Sequence, residues 1–420
     1  MKDRTIFKTI LAIAFCIILL IGLYILTNSF NKEHTNENAK IKQANIIKEI
    51  NSSYNKYVKT NKEAKLYTLD NNKYEEIGTI SADVELELNE KKDDNEYFSI
   101  KGMDYYINYK NVQKINKISE SSNTNYKKYI PFNENIITNS PTKFYKDGKV
   151  KYTINKSIEA KIIIKDTDKY YIEYNNELLY VTKDNVKEIK KSKNSSDMPR
   201  TNIRTLTYHT IYNTKTETCT NTVICHPIEQ FREHMKYLSD NNYLTLTMNE
   251  LELYLDGKIQ VPKKSIVITL DDGKYATNAI KIVEKYKVYA TYFIITGRYD
   301  VPPKSEYMKY ESHTDNLHNN YKCSGGNQGG ELLCASEEKI LKDLKTSQER
   351  LGGGSFAMAY PFFDFNERAI KLLRQAGFRL AFIGQYDTNG YSTPKTDRMK
   401  LRRKTIFSSD PLSKFVSYLK

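Results

Sequence analysis

SIVITLDDG (Ser265–Gly273) decides the fold: a run of apolar and β-branched residues ends abruptly on two carboxylates and a glycine. Its length and composition mark a buried strand. A helical pattern follows over about Ala276–Tyr286, then a second buried strand, ATYFIIT, at Ala290–Thr296. Strand, helix and strand at this spacing make a βαβ unit, so the last 220 or so residues read as an α/β domain. Just upstream, helical periodicity runs through Ile228–Tyr243 and then through MNELELYLDG, with Asn249 as the expected cap and Gly257 as the stop.

The chain has 420 residues, and at roughly 150 residues per domain two or three units are expected. Residues 9–31 carry no charged side chain, and Ile10–Leu26 is long and apolar enough to cross a bilayer as a helix. Lys2, Arg4 and Lys8 precede it, which keeps that end in the cytoplasm and sends the rest outward. A cleaved signal peptide is the alternative, but the run is long for one and no small-x-small site follows. The expectation is a single-pass protein of the cell membrane with its catalytic domain extracellular.

Lys and Arg total 65 against 51 Asp and Glu, a net charge of +14. Outside the membrane this excludes nucleic acid as a natural partner, leaving anionic wall polymers or a merely solvated surface. Four of the five cysteines, Cys219, Cys225, Cys323 and Cys334, lie beyond the span. An oxidising compartment permits disulfides, and the local pairs 219 with 225 and 323 with 334 are expected, although three connectivities are open.

Between the span and the α/β domain two segments resemble one another, Lys65–Ile115 and Lys143–Ile189. Each has short alternating runs of Ile, Val, Tyr and Phe broken by Asn, Asp and Gly, the mark of a small antiparallel β-unit. A duplicated module of about 55 residues is expected. The expected order is a cytoplasmic tip and transmembrane anchor at 1–30, a stalk at 31–56 and β-modules at 57–118 and 129–190. A linker at 191–203 and the α/β domain at 204–420 complete it.

Asp271 and Asp272 stand where a buried strand ends, the place where parallel α/β folds build their sites. Adjacent carboxylates repel unless a proton or cation intervenes, so the pair points to a metal, a turn being the bland alternative. Some 40 residues on, ESHTDNLH (Glu311–His318) offers two imidazoles. With an Asp they suit zinc or a neighbouring divalent ion and leave a position open. A spacing of five puts His313 and His318 about 140° apart on a helix, so they share a metal only from a loop or broken helix.

Together these residues resemble the polysaccharide deacetylases of carbohydrate esterase family 4, whose NodB-type domain is a distorted (β/α) barrel. The resemblance implies Asp271 as base and Asp272, His313 and His318 as ligands of a divalent metal, zinc foremost. His318 lies one residue beyond the common H-[S/T]-x-x-H spacing. The longer form is similar to the branch acting on poly-N-acetylglucosamine.

No histidine follows His318, whereas the usual family order puts the acid near the C-terminus. The permuted branch carries it upstream in a Tyr-His segment, which Tyr208-His209 matches, so His209 is implied as the acid. Ala359-Tyr360-Pro361-Phe362 resembles the R-x-P-[F/Y] motif, with the Phe362 N–H implied as an oxyanion donor. Ala359 replaces the motif Arg, and Arg403 is the candidate substitute charge. The β-modules resemble bacterial Src-homology-three-like domains, which bind wall components or serve as spacers.

The resemblance implies a hydrolase of amide bonds acting on a cell-wall polysaccharide, with peptidoglycan N-acetylglucosamine placed ahead of exported poly-N-acetylglucosamine. A catalytically inactive wall-binding scaffold and a hydrolase of O-linked acetyl groups remain as competing readings.

Overall fold

The computed structural model describes residues 57–89, 96–118, 126–192, 199–221, 223–384 and 389–420. The expected cytoplasmic tip, membrane helix and stalk lie outside these residues. Among the described residues no helix is long and apolar enough to cross a membrane. The chain divides into two compact units. One takes in 134–162 and 167–192 with the described residues that precede 125, and the other takes in 125–133, 163–166 and 193–420.

The first unit is all β and internally repeated. Seven strands, Tyr57–Thr60, Ala64–Asp70, Lys73–Ile80, Glu85–Glu87, Tyr97–Ser99, Tyr106–Asn108 and Val112–Lys114, are followed by seven more in the same order, from Glu134–Thr138 to Val186–Lys191. In both sets the first strand pairs with the fourth and seventh, and the second with the third and sixth. In both the fifth pairs with the sixth. Equivalent positions are buried completely: Leu66 and Phe144, Ile80 and Ile154, Ile107 and Val181.

The third strands of the two sets pair with each other, placing Ile154 opposite Gly78. A Cβ on Gly78 would lie 2.0 Å from the Thr153 carbonyl oxygen, so the strands meet this closely only over glycine. The alternation read in the sequence is thus real, and the duplication extends to the pairing scheme.

The second unit is built on seven parallel strands: β1 (Ile203–Tyr208), β2 (Ser265–Asp272), β3 (Ala290–Ile294), β4 (Met308–Ser312), β5 (Ala357–Ala359), β6 (Leu380–Gly384) and β7 (Leu401–Thr405). Neighbours pair in that order, and β7 returns to β1, which pairs with β2, so the sheet closes into a barrel. Leu206 and Tyr208, Ile266, Ile268 and Leu270, and Tyr292 and Ile294 pack in one apolar cluster with the helices Ile228–Asp240 (α1) and Ala276–Tyr286 (α2). With successive side chains alternating across a strand, Thr207, Thr269, Asp271 and Phe293 face the barrel interior. A second cluster joins Leu317, Met358 and Ala381 to the helices Glu337–Arg350 (α3) and Glu367–Gln375 (α4).

Two local expectations shift. The helix Met248–Leu255 is capped by Thr247, whose side chain and Glu250 form a capping box, rather than by Asn249. Gly257 follows its end with φ +69°, the left-handed stop expected of it. Both local disulfides, Cys219–Cys225 and Cys323–Cys334, are formed.

Candidate metal centre

Five of the residues singled out in the sequence lie at or just beyond the C-terminal end of a barrel strand, where parallel sheets present their chemistry. His209 follows β1, Asp271 and Asp272 close β2, His313 follows β4, and Phe362 follows β5. His209, Asp271, Asp272, His313, His318 and Phe362 line one cleft of about 690 Å³. Two successive carboxylates reach it because Asp272 has φ +79°, which breaks the alternation of the strand. Gly273 follows at φ +123°, and a Cβ there would meet Tyr299 at 3.1 Å and Ile294 at 3.3 Å.

Asp272 Oδ1 lies 3.7 Å from His313 Nε2 and 3.6 Å from His318 Nε2. Among the described residues these three form the group with metal-ligating geometry. Ligands at about 2.0–2.1 Å around a tetrahedral ion stand roughly 3.3 Å apart, so small inward shifts bring all three onto one cation. The donor set therefore fits a divalent metal. His313 Nδ1 donates to the Ala359 carbonyl at 2.8 Å, which leaves its Nε2 lone pair facing Asp272. Burial lowers both imidazole pKa values, that of His318 to about 2, so the rings stay neutral as ligation requires. Burial, reinforced by neighbouring Asp271, raises Asp272, a tension a cation relieves.

The five-residue spacing is absorbed by a loop. Thr314 takes φ +71°, and the buried carboxylate of Asp343 on α3 accepts the backbone N–H of Asp315 at 2.8 Å and of Asn316 at 2.6 Å. Leu317 is fully buried in the second cluster, and Arg298 donates to the His318 carbonyl. The extra residue thus becomes an anchored bulge that returns His318 to the metal side.

Arg403 takes the place of the missing motif arginine. Its Nη1 donates to Asp271 Oδ1 at 2.6 Å and to Thr207 Oγ1 at 3.2 Å, and the pair is almost fully buried. Burial alone would push Asp271 up, but the charges of Arg403, His313 and His209 and the Arg403 hydrogen bond bring it below the usual carboxylate value. Asp271 is therefore an ionised acceptor beside the metal cluster. His209 is partly exposed, and burial of its ring lowers its pKa, against an opposing pull from Asp271.

Phe362 and Phe363 both adopt left-handed backbone, at φ +57° and +61°. Asn327 Nδ2 donates to the Phe362 carbonyl at 3.1 Å, and the Phe362 ring lies 4.3 Å from that of His318. Nothing local in the sequence marked the loop that supplies Asn327. The carboxylate of Asp364, 1% exposed, holds this loop by accepting the backbone N–H of Asn327, of Gln328 at 3.2 Å and of Gly330 at 2.7 Å. Cys323–Cys334 closes its ends, and Asn327 and Gln328 line the cleft.

Residues 258–381 match the family model described as Polysaccharide deacetylase. A curated relative from Staphylococcus aureus (strain MSSA476), named Poly-beta-1,6-N-acetyl-D-glucosamine N-deacetylase, is 33% identical over 175 residues, 36% of this chain and 59% of the relative. A protein of the same name from Staphylococcus epidermidis is 27% identical over 197 residues, 42% of this chain and 65% of the relative. The chain thus spans about three fifths of the length of the curated relatives it matches. The solved Streptococcus pyogenes deacetylase PplD in complex with acetate is 20% identical, covering 53% of this chain and 100% of that chain, with a TM-score of 0.43. His209 and Arg403 lie outside the matched span, while Asp271, Asp272, His313, His318 and Phe362 lie within it. Residues 258–381 of the barrel unit are thus similar to polysaccharide deacetylases.

Proposed function

We propose that the chain is a metal-dependent polysaccharide N-deacetylase that removes acetyl groups from N-acetylglucosamine polymers outside the cell. The observation that carries this reading is the buried Asp271–Arg403 pair beside the group of Asp272, His313 and His318. A divalent ion held by those three residues supplies a Lewis acid for the acetamide carbonyl and lowers the pKa of water. Asp271 accepts the proton of the attacking water, and its hydrogen bond to Arg403 fixes which oxygen remains open for that task. The Phe362 N–H, presented by a left-handed turn, supports the oxyanion. His209, on the β1 side of the cleft, protonates the departing amine. Products are acetate and a glucosamine unit.

Among substrates, exported poly-β-1,6-N-acetylglucosamine now stands first, because the names of the relatives and the longer His spacing both favour it. Peptidoglycan, placed first on the sequence, is the second reading, supported by the duplicated β-unit as a wall-binding module of Src-homology-three type. The basic flank and apolar run at Ile10–Leu26 support a membrane anchor, and two disulfides support an oxidising compartment. Acetate released from β-1,6-linked N-acetylglucosamine oligomers and from peptidoglycan, side by side, decides the substrate. Faster release from peptidoglycan reverses the order proposed here.

A further inference from the structure

Behind the cleft, a second histidine, His226, is locked in one tautomer, and its Nε2 has no hydrogen-bond partner among the described residues. Gln230 on α1 shares the two N–H groups of Nε2 among three carbonyls, Phe407 at 3.2 Å, Ser408 at 3.1 Å and Asp410 at 2.7 Å. Those acceptors identify the amide nitrogen, so Oε1 is the atom that lies 3.1 Å from His226 Nδ1, and it accepts. His226 therefore carries its proton on Nδ1 and a lone pair on Nε2. That Nε2 is buried and has no hydrogen-bond partner among the described residues, and His226 is fully buried. An unpaired buried polar atom of this kind is destabilising and calls for a ligand or a role.

His209 presents the matching deficiency. Its Nδ1 is buried and without a partner among the described residues. The two histidines sit on adjoining parallel segments, with Thr210 paired to Cys225 and Ile211 to His226. Their rings lie close enough for charge on His209 to disfavour charge on His226, whose pKa burial already lowers to about 3. His226 thus stays a neutral acceptor at any working pH.

We infer that His226 is a positioning residue for His209: its Nε2 lone pair accepts the His209 Nδ1 proton through one bridging water and turns His209 Nε2 toward the departing amine. This rests on the acid role proposed above for His209. Gln230 then stands to His226 as an anchor, tying the acid to the segment that follows β7, the strand that supplies Arg403. An acceptor at Nδ1 stabilises the imidazolium of His209, so removing it lowers the pKa of that ring. The other charged or titratable groups around the pair are Asp271 and Arg403 beside His209, and His234, Tyr208 and Asp410 on the outer side.

The test uses the full-length chain with ¹⁵N-labelled histidine, free of metal, and reads the neutral tautomer of His209. The Nδ1–H form is expected, and the Nε2–H form overturns the inference whether or not any polymer is deacetylated. In the active protein, His226→Phe should lower kcat about tenfold at neutral pH with KM unchanged. It should also move the alkaline limb of the kcat profile down by about one pH unit. His226→Gln, which keeps an acceptor oxygen, should restore part of both. A folded His226→Phe with an unmoved limb and an unchanged His209 titration contradicts the inference. If neither variant folds, the tautomer of the native chain decides alone.

Discussion

Arg403 and Asp271, 132 positions apart in the chain, form a buried ion pair at 2.6 Å inside the barrel. Arg403 comes from β7 and Asp271 from the end of β2, and β1 lies between them in the sheet. The Arg403 charge and hydrogen bond help hold the Asp271 carboxyl below the usual carboxylate value. Arg403→Met leaves a buried carboxylate unopposed, so the Asp271 pKa rises and the acidic limb of kcat/KM moves to higher pH. The loss of one partner should cost about 3–5 kcal/mol of stability. Arg403→Lys should retain more of both. Urea unfolding and a pH–rate profile check this, and an unmoved limb in a folded Arg403→Met contradicts it.

Asp364 holds the disulfide-closed loop against the cleft through three backbone N–H groups. Asp364→Asn must turn an amide N–H toward at least one of those donors, at about 1–3 kcal/mol. Because the loop carries Asn327 and Gln328 rather than the metal ligands, KM for oligomers should rise severalfold while metal content stays constant. Kinetics on oligomers of increasing length, with metal analysis, provide the measurement.

Burial raises Asp343 from 3.8 to about 6, and the two N–H groups it accepts only partly offset this. The folded chain then holds this proton more tightly than the unfolded one. Its contribution to stability is full below pH 3.8 and is lost as pH rises through about 6, by up to about 3 kcal/mol. Asp343→Asn cannot ionise and lacks that slope. The stability advantage of the native residue over Asn should therefore narrow between pH 4 and 7 in urea titrations, and a constant difference contradicts this.

Gly78→Ala places a methyl group against the Thr153 carbonyl oxygen. The strand pairing that joins the two repeats should loosen at a cost of about 1–3 kcal/mol. Amide exchange at Thr79 and Thr153 should accelerate, while exchange within the barrel unit stays unchanged.

The βαβ unit was legible because its periodicity is local, whereas the barrel was expected only from the family resemblance. SIVITLDDG and ATYFIIT become β2 and β3, and Asp272, His313 and His318 converge as their types implied. The duplication was legible too, since equivalent buried positions repeat in the sequence. Thr247 and Glu250 fit the Thr-x-x-Glu capping box, a signal that the expectation of Asn249 as the cap overlooked. Arg403 surfaced only as a candidate, because its partner is fixed by closure of the sheet and not by sequence spacing. Asp343, Asp364 and the pair of His226 and Gln230 left no trace, since each works by accepting or donating to distant backbone or ring atoms.

The most direct test of the central claim is metal content and acetate release on the same preparation of the full-length chain, before and after chelation. One divalent ion per chain is expected, bound through Asp272, His313 and His318, with acetate release from N-acetylglucosamine polymers abolished by chelator and restored by added metal. Asp272→Ala should lose both ion and activity, and Asp271→Asn the activity alone. Acetate release that survives removal of the metal, or none from any such polymer with the metal bound, contradicts it.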